Sequence, residues 1–271
     1  MQRPKLAEFF DDLIDETRTL IEKHRITHDE YRQMVGFLVE AGQAAEIPLL
    51  MDIFLESKVD EVEHADHRGS PTAIEGPFYL PDAPLLERPY ALPTRTDEPG
   101  EVLFFAGTVR ATDGTPLAGA MLDLWQGDAH GDYSGFSDVP VPILRGRFTT
   151  DDEGRFEVRT VVPGSYEIPT AGPTGRLLAA LGRHAWRPAH LHLKLTHDTV
   201  EPITSQIYFE GDRWLDSDVA NAVKPGLVVT LNRHAEPSDA RGRELDRPYY
   251  VARYDFVLQA RTPARALAAA G

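Results

Sequence analysis

The chain has 271 residues, a formal net charge of −15 and no cysteine. The lack of cysteine excludes disulfide scaffolds, thiolate zinc sites, iron–sulfur clusters and cysteine nucleophiles, so a metal must be bound by His, Tyr or carboxylate. The negative charge argues against nucleic-acid binding, which needs clustered Lys and Arg. No apolar run approaches the roughly 20 residues that span a bilayer, and no signal-peptide pattern occurs. We therefore expect a cytoplasmic protein without membrane insertion.

The first part of the chain has the pattern of amphipathic helices. Between residues 5 and about 60, apolar residues recur at three- and four-residue spacing with acidic residues opposite them. The apolar stripe of the first helix consists of Leu6, Phe9, Phe10, Leu13, Ile14, Thr17, Leu20 and Ile21. Such a stripe packs against the rest of the chain or pairs two subunits, and the pattern leaves both interpretations open.

Local signals mark two further helices. Thr27 and Glu30 have the spacing of a capping box and predict the start of a second helix, which we expect Gly42 to end. Pro48 is favourable in a first turn and predicts the start of a third helix.

Short strands separated by turns dominate after residue 100. Segments 102–110 and 121–126 have strand patterns, and segments 147–150 and 155–159 flank a turn at 151–154 that predicts a hairpin. Strands at this spacing favour a β-sandwich over a parallel α/β sheet. The sequence contains no glycine-rich phosphate loop or nucleotide fingerprint.

The segment 187–195 alternates leucine with His or Lys. In a strand, His190 and His192 therefore project from one face and the leucines from the other. Two imidazoles on one face suit a metal ion. A half-exposed strand with two solvated histidines has the same pattern, so alternation alone leaves both interpretations open.

Two tyrosines lie in turn-rich segments. Tyr133 is in segment 127–135 and Tyr166 is in segment 163–169, where a sandwich would place its loops. Loops on a rigid scaffold often present functional groups. Taken singly, each tyrosine is more typical of a packed aromatic residue with a hydrogen-bonded hydroxyl.

Several motifs occur in a specific order along the chain. They are Ile74-Glu75-Gly76-Pro77-Phe78, Leu124-Trp125 with 131–134, then 163–169, 172–175, 186–192, and 204–206 through 216–218. As a set they resemble the intradiol catechol dioxygenases, non-haem ferric enzymes that cleave an aromatic ring between two adjacent hydroxyls. The resemblance extends to about residue 260.

The resemblance implies a mixed α+β fold, with an N-terminal helical dimerisation segment followed by an antiparallel β-sandwich catalytic domain. We expect a helical dimerisation and linker segment at 1–70, the catalytic domain at 71–260 and a C-terminal tail at 261–271. It also implies a homodimer formed through the N-terminal helices, with room for a lipid between them.

The resemblance further implies that one Fe(III) per subunit is bound by four protein ligands, Tyr133, Tyr166, His190 and His192. Phenolate oxygens suit a hard trivalent ion better than thioethers or neutral amides do. Because the pKa of tyrosine is about 10, the bound cation must stabilise the phenolate form. Two phenolates and one hydroxide then balance the three positive charges.

Three residues are expected to take part in catalysis by the same resemblance. Tyr166 is expected to leave the metal when a catechol binds and to accept a substrate proton, so that it is both ligand and general base. Arg187 is expected to stabilise negative charge on the substrate. Gln206 is expected to orient an oxygen or the ligand side chains, although an ordinary surface position is equally compatible with it.

The substrate pocket of the family corresponds to mainly apolar residues of this chain, namely Leu49, Asp52, Ile53, Ile74, Gly76, Pro77, Phe78 and Ala220. The chain is most similar to chlorocatechol and catechol 1,2-dioxygenases, so we expect catechol or chlorocatechols and dioxygen as substrates and cis,cis-muconates as products. Gln126 departs from many catechol enzymes, and the run 175–184 is similar to hydroxyquinol 1,2-dioxygenases. Hydroxyquinol is therefore the alternative substrate, and a catalytically silent β-sandwich binding module is the alternative from another class.

Overall fold

A computed structural model describes residues 4–236, 245 and 247–261. The chain divides into two compact units, with the boundary between Ile47 and Pro48. Of the expected tail at 261–271, all but Arg261 lies outside the described residues. No single helix in the described ranges is long and apolar enough to cross a membrane, whereas the bent pair His28–Gln43 and Ile47–Glu63 meets that criterion by length and composition only.

The first unit contains two helices, α1 (Lys5–His24) and α2 (His28–Gln43). The expected capping box is confirmed, because Thr27 Oγ1 accepts from the Glu30 amide at 3.3 Å while a Glu30 carboxylate oxygen accepts from the Thr27 amide at 2.8 Å. The prediction that Gly42 ends α2 is wrong. The helix continues through Gln43, and Ala45 takes the left-handed conformation after it, at φ 56°.

A helical region that changes its winding starts at Ile47, the last residue of the first unit. The helix α3 (Ile47–Met51) is followed by a π-helical turn (Asp52–Glu56) and then by α4 (Ser57–Glu63). Pro48 lies in the first turn of α3, as expected. The π turn was not predicted, and such turns occur frequently at functional sites because they redirect side chains that a regular helix would place elsewhere.

The rest of the second unit consists of short strands with one helix, α5 (Pro173–Ala180), and a 3₁₀ turn (Pro225–Leu227). The strands are β1 (Tyr90–Ala91), β2 (Val102–Ala111), β3 (Met121–Gln126), β4 (Arg145–Thr149), β5 (Arg155–Val161), β6 (Tyr166–Glu167), β7 (Trp186–Arg187), β8 (His190–Thr196), β9 (Ile203–Phe209), β10 (Val228–Val229), β11 (Asn232–His234), β12 (Tyr249–Arg253) and β13 (Phe256–Leu258).

These strands form two larger sheets and one small pair. One sheet has the order β1-β5-β2-β12-β11, with β13 also paired to β2, and the other has the order β10-β9-β8-β3-β4. The small sheet pairs β6 with β7. The expected mixed helix-and-sheet fold class is therefore confirmed. The sandwich was expected to be antiparallel, but its sheets also contain parallel pairs. These join β1 to β5, β2 to β12, β2 to β13, and β9 to β10.

The predicted hairpin around residues 151–154 is wrong. The strand β4 pairs with β3, whereas β5 pairs with β2 and β1, so the turn carries the chain from one sheet to the other. Phe148 and Phe156 face each other across the core, with ring centroids 6.1 Å apart. The turn signal correctly marked a chain reversal, but it did not determine whether the two strands pair or pack face to face.

The main core lies between the two larger sheets. The leucines of β8, Leu191, Leu193 and Leu195, are fully buried in it. Because successive side chains of a strand alternate between faces, His190 and His192 project from the opposite, outer face of the five-stranded sheet. The alternation predicted from the sequence is thus present.

Candidate metal centre

The two histidines of β8 are buried on the outer face of their sheet. His190 and His192 are each 1% exposed, so the interpretation as solvated histidines is wrong. Their Nε2 atoms lie 2.9 Å apart. The Trp125 ring covers the imidazole of His192 in a stacked arrangement, with centroids 4.7 Å apart. A second buried cluster, built around the π turn, Trp125 and the two tyrosines, therefore excludes water from these histidines.

The register of the sheet places four polar or aromatic residues in one row. Trp125 of β3 lies directly opposite Arg145 of β4 on one side and His192 of β8 on the other, and His192 lies opposite Gln206 of β9. Residues directly opposite each other share a face of the sheet. This row crosses four strands and forms the base of the site.

Hydrogen bonds determine the orientation of each imidazole. His190 Nδ1 lies 2.7 Å from the Pro188 carbonyl, which only accepts, so Nδ1 carries the proton and the Nε2 lone pair is free. The Gln206 amide nitrogen lies 3.3 Å from His192 Nδ1 and donates to the Ile74 carbonyl at 2.7 Å. Burial and the nearby Arg187 charge lower the pKa of His190 to about 3, and burial with His190 lowers the pKa of His192 well below its usual value. Both imidazoles are therefore neutral at pH 7.

The two tyrosines come from different local structures. Tyr133 lies in the loop after β3 and is 4% exposed, whereas Tyr166 is 7% exposed and is the first residue of β6. The expectation that both lie in loops is wrong for Tyr166. Gly131 permits the close approach of the two segments, because it has φ +87° and a Cβ there would lie 2.3 Å from the Tyr166 Cβ.

The aspartate Asp128 joins the two tyrosine segments. Its side chain accepts from the amides of His130 and Asp132 at 2.8 and 3.1 Å, and its backbone carbonyl accepts from the Gly164 amide at 2.9 Å. Arg95 donates to its other carboxylate oxygen at 2.6 Å. Although burial opposes ionisation, these donors together hold the pKa of Asp128 below its usual value. No sequence pattern indicated this role.

The phenols face the imidazoles. Tyr133 Oη lies 3.2 Å from His192 Nε2 and 3.5 Å from His190 Nε2. Tyr166 packs against Tyr133 with ring centroids 5.4 Å apart, and it pairs with Arg187 across the small sheet. Burial raises the pKa of both phenols, so that neither ionises near neutral pH without a cation.

The donor set has the chemistry and spacing that a metal ion requires. Metal bonds to nitrogen and oxygen of about 2 Å place neighbouring ligand atoms about 3 Å apart. The separations among Tyr133 Oη and the Nε2 atoms of His190 and His192 are 2.9, 3.2 and 3.5 Å. Two neutral imidazoles and two phenols fit a hard trivalent ion, since such an ion stabilises the ionised phenolate that burial alone disfavours.

Arg187 connects the centre to a buried carboxylate. It lies on β7 opposite Tyr166, is 4% exposed, and its Nη1 lies 3.3 Å from His190 Nε2. Its Nε and Nη2 donate to the two carboxylate oxygens of Asp218 at 3.0 and 3.1 Å, and Nη2 also donates to the Gln206 side-chain oxygen at 2.9 Å. Despite burial, Arg187 holds the pKa of Asp218 below its usual value.

Gln206 is fully buried, so the alternative of an ordinary surface position is wrong. Asp218 and Tyr208, which also bonds Arg187 at 3.1 Å, were not predicted as site residues. Asp218 lies within a motif that supported the family resemblance, so the sequence contained a signal that could have identified it as a site residue.

A cavity of about 20 Å³ adjoins Tyr166 and Arg187. All eight predicted pocket residues line it, together with Tyr166, Arg187 and the unpredicted Ile168. Burial raises the pKa of Asp52, the acidic residue of this lining. Its lining is mainly apolar with a few polar side chains, which is typical of small-molecule sites.

The two departures from catechol enzymes lie away from this cavity. Gln126 is fully buried, and it bonds the carbonyls of Gly127 and Val161 at 3.0 Å and the Thr160 hydroxyl at 2.7 Å. It therefore joins the two sheets. The run 175–184 contributes the buried Leu178 of α5 behind the tyrosines, and none of its residues lines the cavity.

Two family models match the chain. One, described as Dioxygenase, matches residues 74–260, and the other, described as Catechol dioxygenase N terminus, matches residues 3–70. The chain belongs to the intradiol dioxygenase family. Members of this family are iron-dependent, which agrees with the donor set described above. Membership also makes the chain an enzyme and overturns the alternative of a silent binding module.

Known intradiol dioxygenases resemble the chain over most of its length. A chlorocatechol 1,2-dioxygenase of Rhodococcus opacus is 44% identical over 238 residues, which are 86% of this chain and 92% of that protein. The crystal structure of 3-chlorocatechol 1,2-dioxygenase from Rhodococcus opacus 1CP has a TM-score of 0.89 at 40% identity, covering 95% of this chain and 99% of that one. That of hydroxyquinol 1,2-dioxygenase from Pseudomonas putida DLL-E4 has a TM-score of 0.86 at 32% identity, covering 96% and 94%.

Proposed function

We propose that this intradiol dioxygenase cleaves catechol or chlorocatechols with dioxygen at one Fe(III) per subunit, bound by Tyr133, Tyr166, His190 and His192. The observation that carries the proposal is the convergence of one phenol and two neutral imidazoles within 2.9–3.5 Å, with a second phenol at the edge of a small cavity. Bound there, the ferric ion would supply the positive charge that ionises the phenols and the diol.

The protein side chains divide the remaining work. The Pro188 carbonyl keeps the His190 lone pair directed at the centre, and Gln206 holds His192 from behind. Tyr166 lines the cavity, so its Oη is placed to accept a proton from an entering diol. Arg187 also lines the cavity and is already ion paired with Asp218, so its charge acts on the substrate without reorganisation.

The lining favours a chlorinated or unsubstituted ring over a trihydroxylated one. Most lining side chains are apolar, including Leu49, Ile53 and Ile74. A chlorine atom packs against such groups, whereas a third hydroxyl would lose its hydrogen bonds to water unless Asp52 accepted one. The relatives at 44% and 40% identity are chlorocatechol enzymes, while the hydroxyquinol enzyme is 32% identical.

A substrate panel tests the proposal. Dioxygen uptake and product identification are measured with catechol, chlorocatechols and hydroxyquinol on ferric-reconstituted enzyme. We expect muconate products and preference for catechol or a chlorocatechol. Preference for hydroxyquinol would overturn the substrate assignment, and failure to cleave any diol between its hydroxyls would overturn the function.

We also propose that the first 70 residues form the dimerisation segment and residues 71–260 the catalytic domain. The apolar stripe of α1 supports the homodimer, since Leu6, Phe9 and Phe10 are 65%, 57% and 52% exposed in a single chain. Exposed patches of this kind usually mark interfaces. Light scattering of Phe9→Glu against Glu8→Gln should show a monomer only for the former. Native mass spectrometry of the parent dimer tests whether a lipid accompanies it.

A further inference from the structure

Two separate parts of the chain form facing walls of the cavity beside the metal centre. The helical wall consists of Leu49, Asp52 and Ile53, and the loop wall consists of Ile74, Gly76, Pro77 and Phe78. The cavity between them, at about 20 Å³, has room for little more than a water molecule. An aromatic ring therefore enters only when lining groups move apart, so the contacts that set the spacing of the walls also set which rings fit.

The loop wall is fixed to the metal centre on one side. The Ile74 carbonyl accepts from the Gln206 side-chain amide at 2.7 Å. The Phe78 ring stacks on the Tyr133 ring, with centroids 4.7 Å apart. Because both partners are buried, this side of the loop wall has a well-defined position.

A carboxylate of the helical region reaches the loop wall from the other side. Glu56 is the last residue of the π turn, and its Oε1 accepts from the Glu75 amide at 3.1 Å. Glu56 follows Asp52 and Ile53 by about one turn, so the three residues lie on the same side of the helical region. Glu56 is not among the residues that line the cavity. Its hydrogen bond therefore joins the two walls without filling the space between them.

The environment of the Glu56 carboxylate is unfavourable for a charged group. Its Oε2 is buried and has no hydrogen-bond partner in the part of the chain that the structure describes. Burial and the nearby Asp52 raise the pKa of Glu56, although the Glu75 amide and Arg187 oppose this shift. A buried acceptor without a donor costs free energy, which a smaller apolar side chain would avoid. This cost indicates that the carboxylate serves a purpose other than stability.

We propose that Glu56 is a positioning residue that sets the width of the substrate cavity and thereby the size of the ring substituents that the enzyme accepts. This inference rests on the proposed function, because it treats the cavity as the place where the diol enters. With the hydrogen bond from the Glu75 amide formed, the walls stay close and favour a small ring. Without it, the helical wall can move away from the loop wall, which the metal centre still holds.

The first test is the relative turnover of two rings of different size by the full-length, ferric-reconstituted enzyme. Glu56→Ala removes the acceptor, whereas Glu56→Gln keeps an oxygen that can accept from the Glu75 amide and removes only the charge. We expect the ratio of kcat/KM for 3,5-dichlorocatechol to that for catechol to rise roughly tenfold in Glu56→Ala. The change should lie mainly in KM, because Glu56 does not line the cavity. Glu56→Gln and the exposed control Glu63→Gln should keep the parent ratio.

Hydrogen exchange tests the contact between the walls without any turnover. Mass spectrometry of peptides that cover residues 74–80 measures exchange at the Glu75 amide and its neighbours. In Glu56→Ala this exchange should be roughly tenfold faster than in the parent, since a hydrogen bond to a carboxylate is lost. Glu56→Gln should exchange close to the parent rate. Unchanged exchange in Glu56→Ala would overturn the proposal, because the contact between the walls would not depend on Glu56.

The remaining outcomes are also decisive. An equal or lower ratio in Glu56→Ala than in the parent would overturn the role of Glu56 and leave the proposed function intact. A ratio that rises equally in Glu56→Gln and Glu56→Ala would assign the effect to charge and overturn the positioning role.

A shorter carboxylate covers the case in which Glu56→Ala does not fold, as judged by circular dichroism. Glu56→Asp then decides, since its side chain is one methylene shorter: a raised ratio supports the proposal and the parent ratio overturns it. A parent enzyme that cleaves neither ring would overturn the proposed function and this inference with it.

Discussion

The two tyrosines of the site have the same burial but different surroundings. Tyr133 is on a loop that Asp128 and Arg145 hold from two sides, and its Oη contacts both histidines. Tyr166 is on the short strand β6, beside Arg187 and at the wall of the cavity. The comparison indicates a division of roles. We expect Tyr133 to remain a ligand throughout and Tyr166 to exchange with substrate.

The largest expected effect separates the two phenols directly. Tyr166→Phe should lower kcat by roughly 10²–10⁴-fold, because a proton acceptor at the cavity is lost. Its iron content should stay close to that of the parent, because Tyr133, whose hydroxyl contacts both histidines, is kept. Tyr133→Phe should lose both iron and activity. Iron analysis beside steady-state kinetics measures both quantities. Equal iron loss in the two variants would contradict the division of roles.

The next effect concerns the arginine on the Tyr166 side. Arg187→Gln leaves Asp218 buried without its partner, which should lower the free energy of unfolding by about 3–5 kcal/mol. Urea unfolding measures the change. The exposed Arg253 provides the control, and Arg253→Gln should stay within about 0.5 kcal/mol of the parent. A small effect for Arg187→Gln would show that Asp218 finds another partner.

On the Tyr133 side, Asp128→Asn should lower the free energy of unfolding by about 1–3 kcal/mol, because it weakens the hydrogen bonds that join the two tyrosine segments. Asp132, which is exposed, provides the matched control Asp132→Asn.

The same aspartate predicts a pH dependence. The pKa of Asp128 is lowered on folding, so its contribution is fully present above the ordinary value of 3.8 and is lost as pH falls through the lower folded value. The difference in the free energy of unfolding between the parent and Asp128→Asn should therefore shrink as pH falls below 3.8. Parallel stability profiles for the two proteins between pH 6 and pH 2 would contradict this assignment.

The smallest expected effect concerns Gln126, which lies outside both tyrosine segments. Gln126→His should leave the ratio of catechol to hydroxyquinol turnover unchanged, since Gln126 does not line the cavity. Its stability should fall by about 1 kcal/mol, because a histidine replaces only part of the hydrogen bonding between the sheets. A changed substrate ratio would show that the sheet connection acts on the pocket.

The sequence predicted elements with strong periodicity better than it predicted their partners. Alternation in 187–195 was sufficient for the faces of β8, and the Thr27–Glu30 signal was sufficient for the start of α2. Pairing was not predictable at 151–154, because a tight turn is compatible with both a hairpin and a crossing between sheets. The π turn also carries no periodic signal, although it places Asp52 and Ile53 in the cavity wall.

In the candidate site, the sequence likewise predicted the central residues better than the residues that support them. Three of the four predicted ligands, Tyr133, His190 and His192, lie within 3.5 Å of one another, and Tyr166 lines the same cavity as the eight predicted pocket residues. The supporting groups were missed. Asp128 bonds Arg95 and the Gly164 amide, which are far from it in sequence, and Arg145 bonds the loop residue Ser134. Neither set of contacts leaves a periodic pattern in the sequence.

The row of Arg145, Trp125, His192 and Gln206 makes the site sensitive to strand register. A slip of β8 by two residues against β3 would keep its leucines in the core but would place Lys194 against Trp125. The hydrophobic pattern alone is therefore compatible with a shifted register that would displace the predicted metal ligands. Metal uptake reports that four strands have aligned correctly, so ferric binding distinguishes the native sheet from a compact, mispaired one.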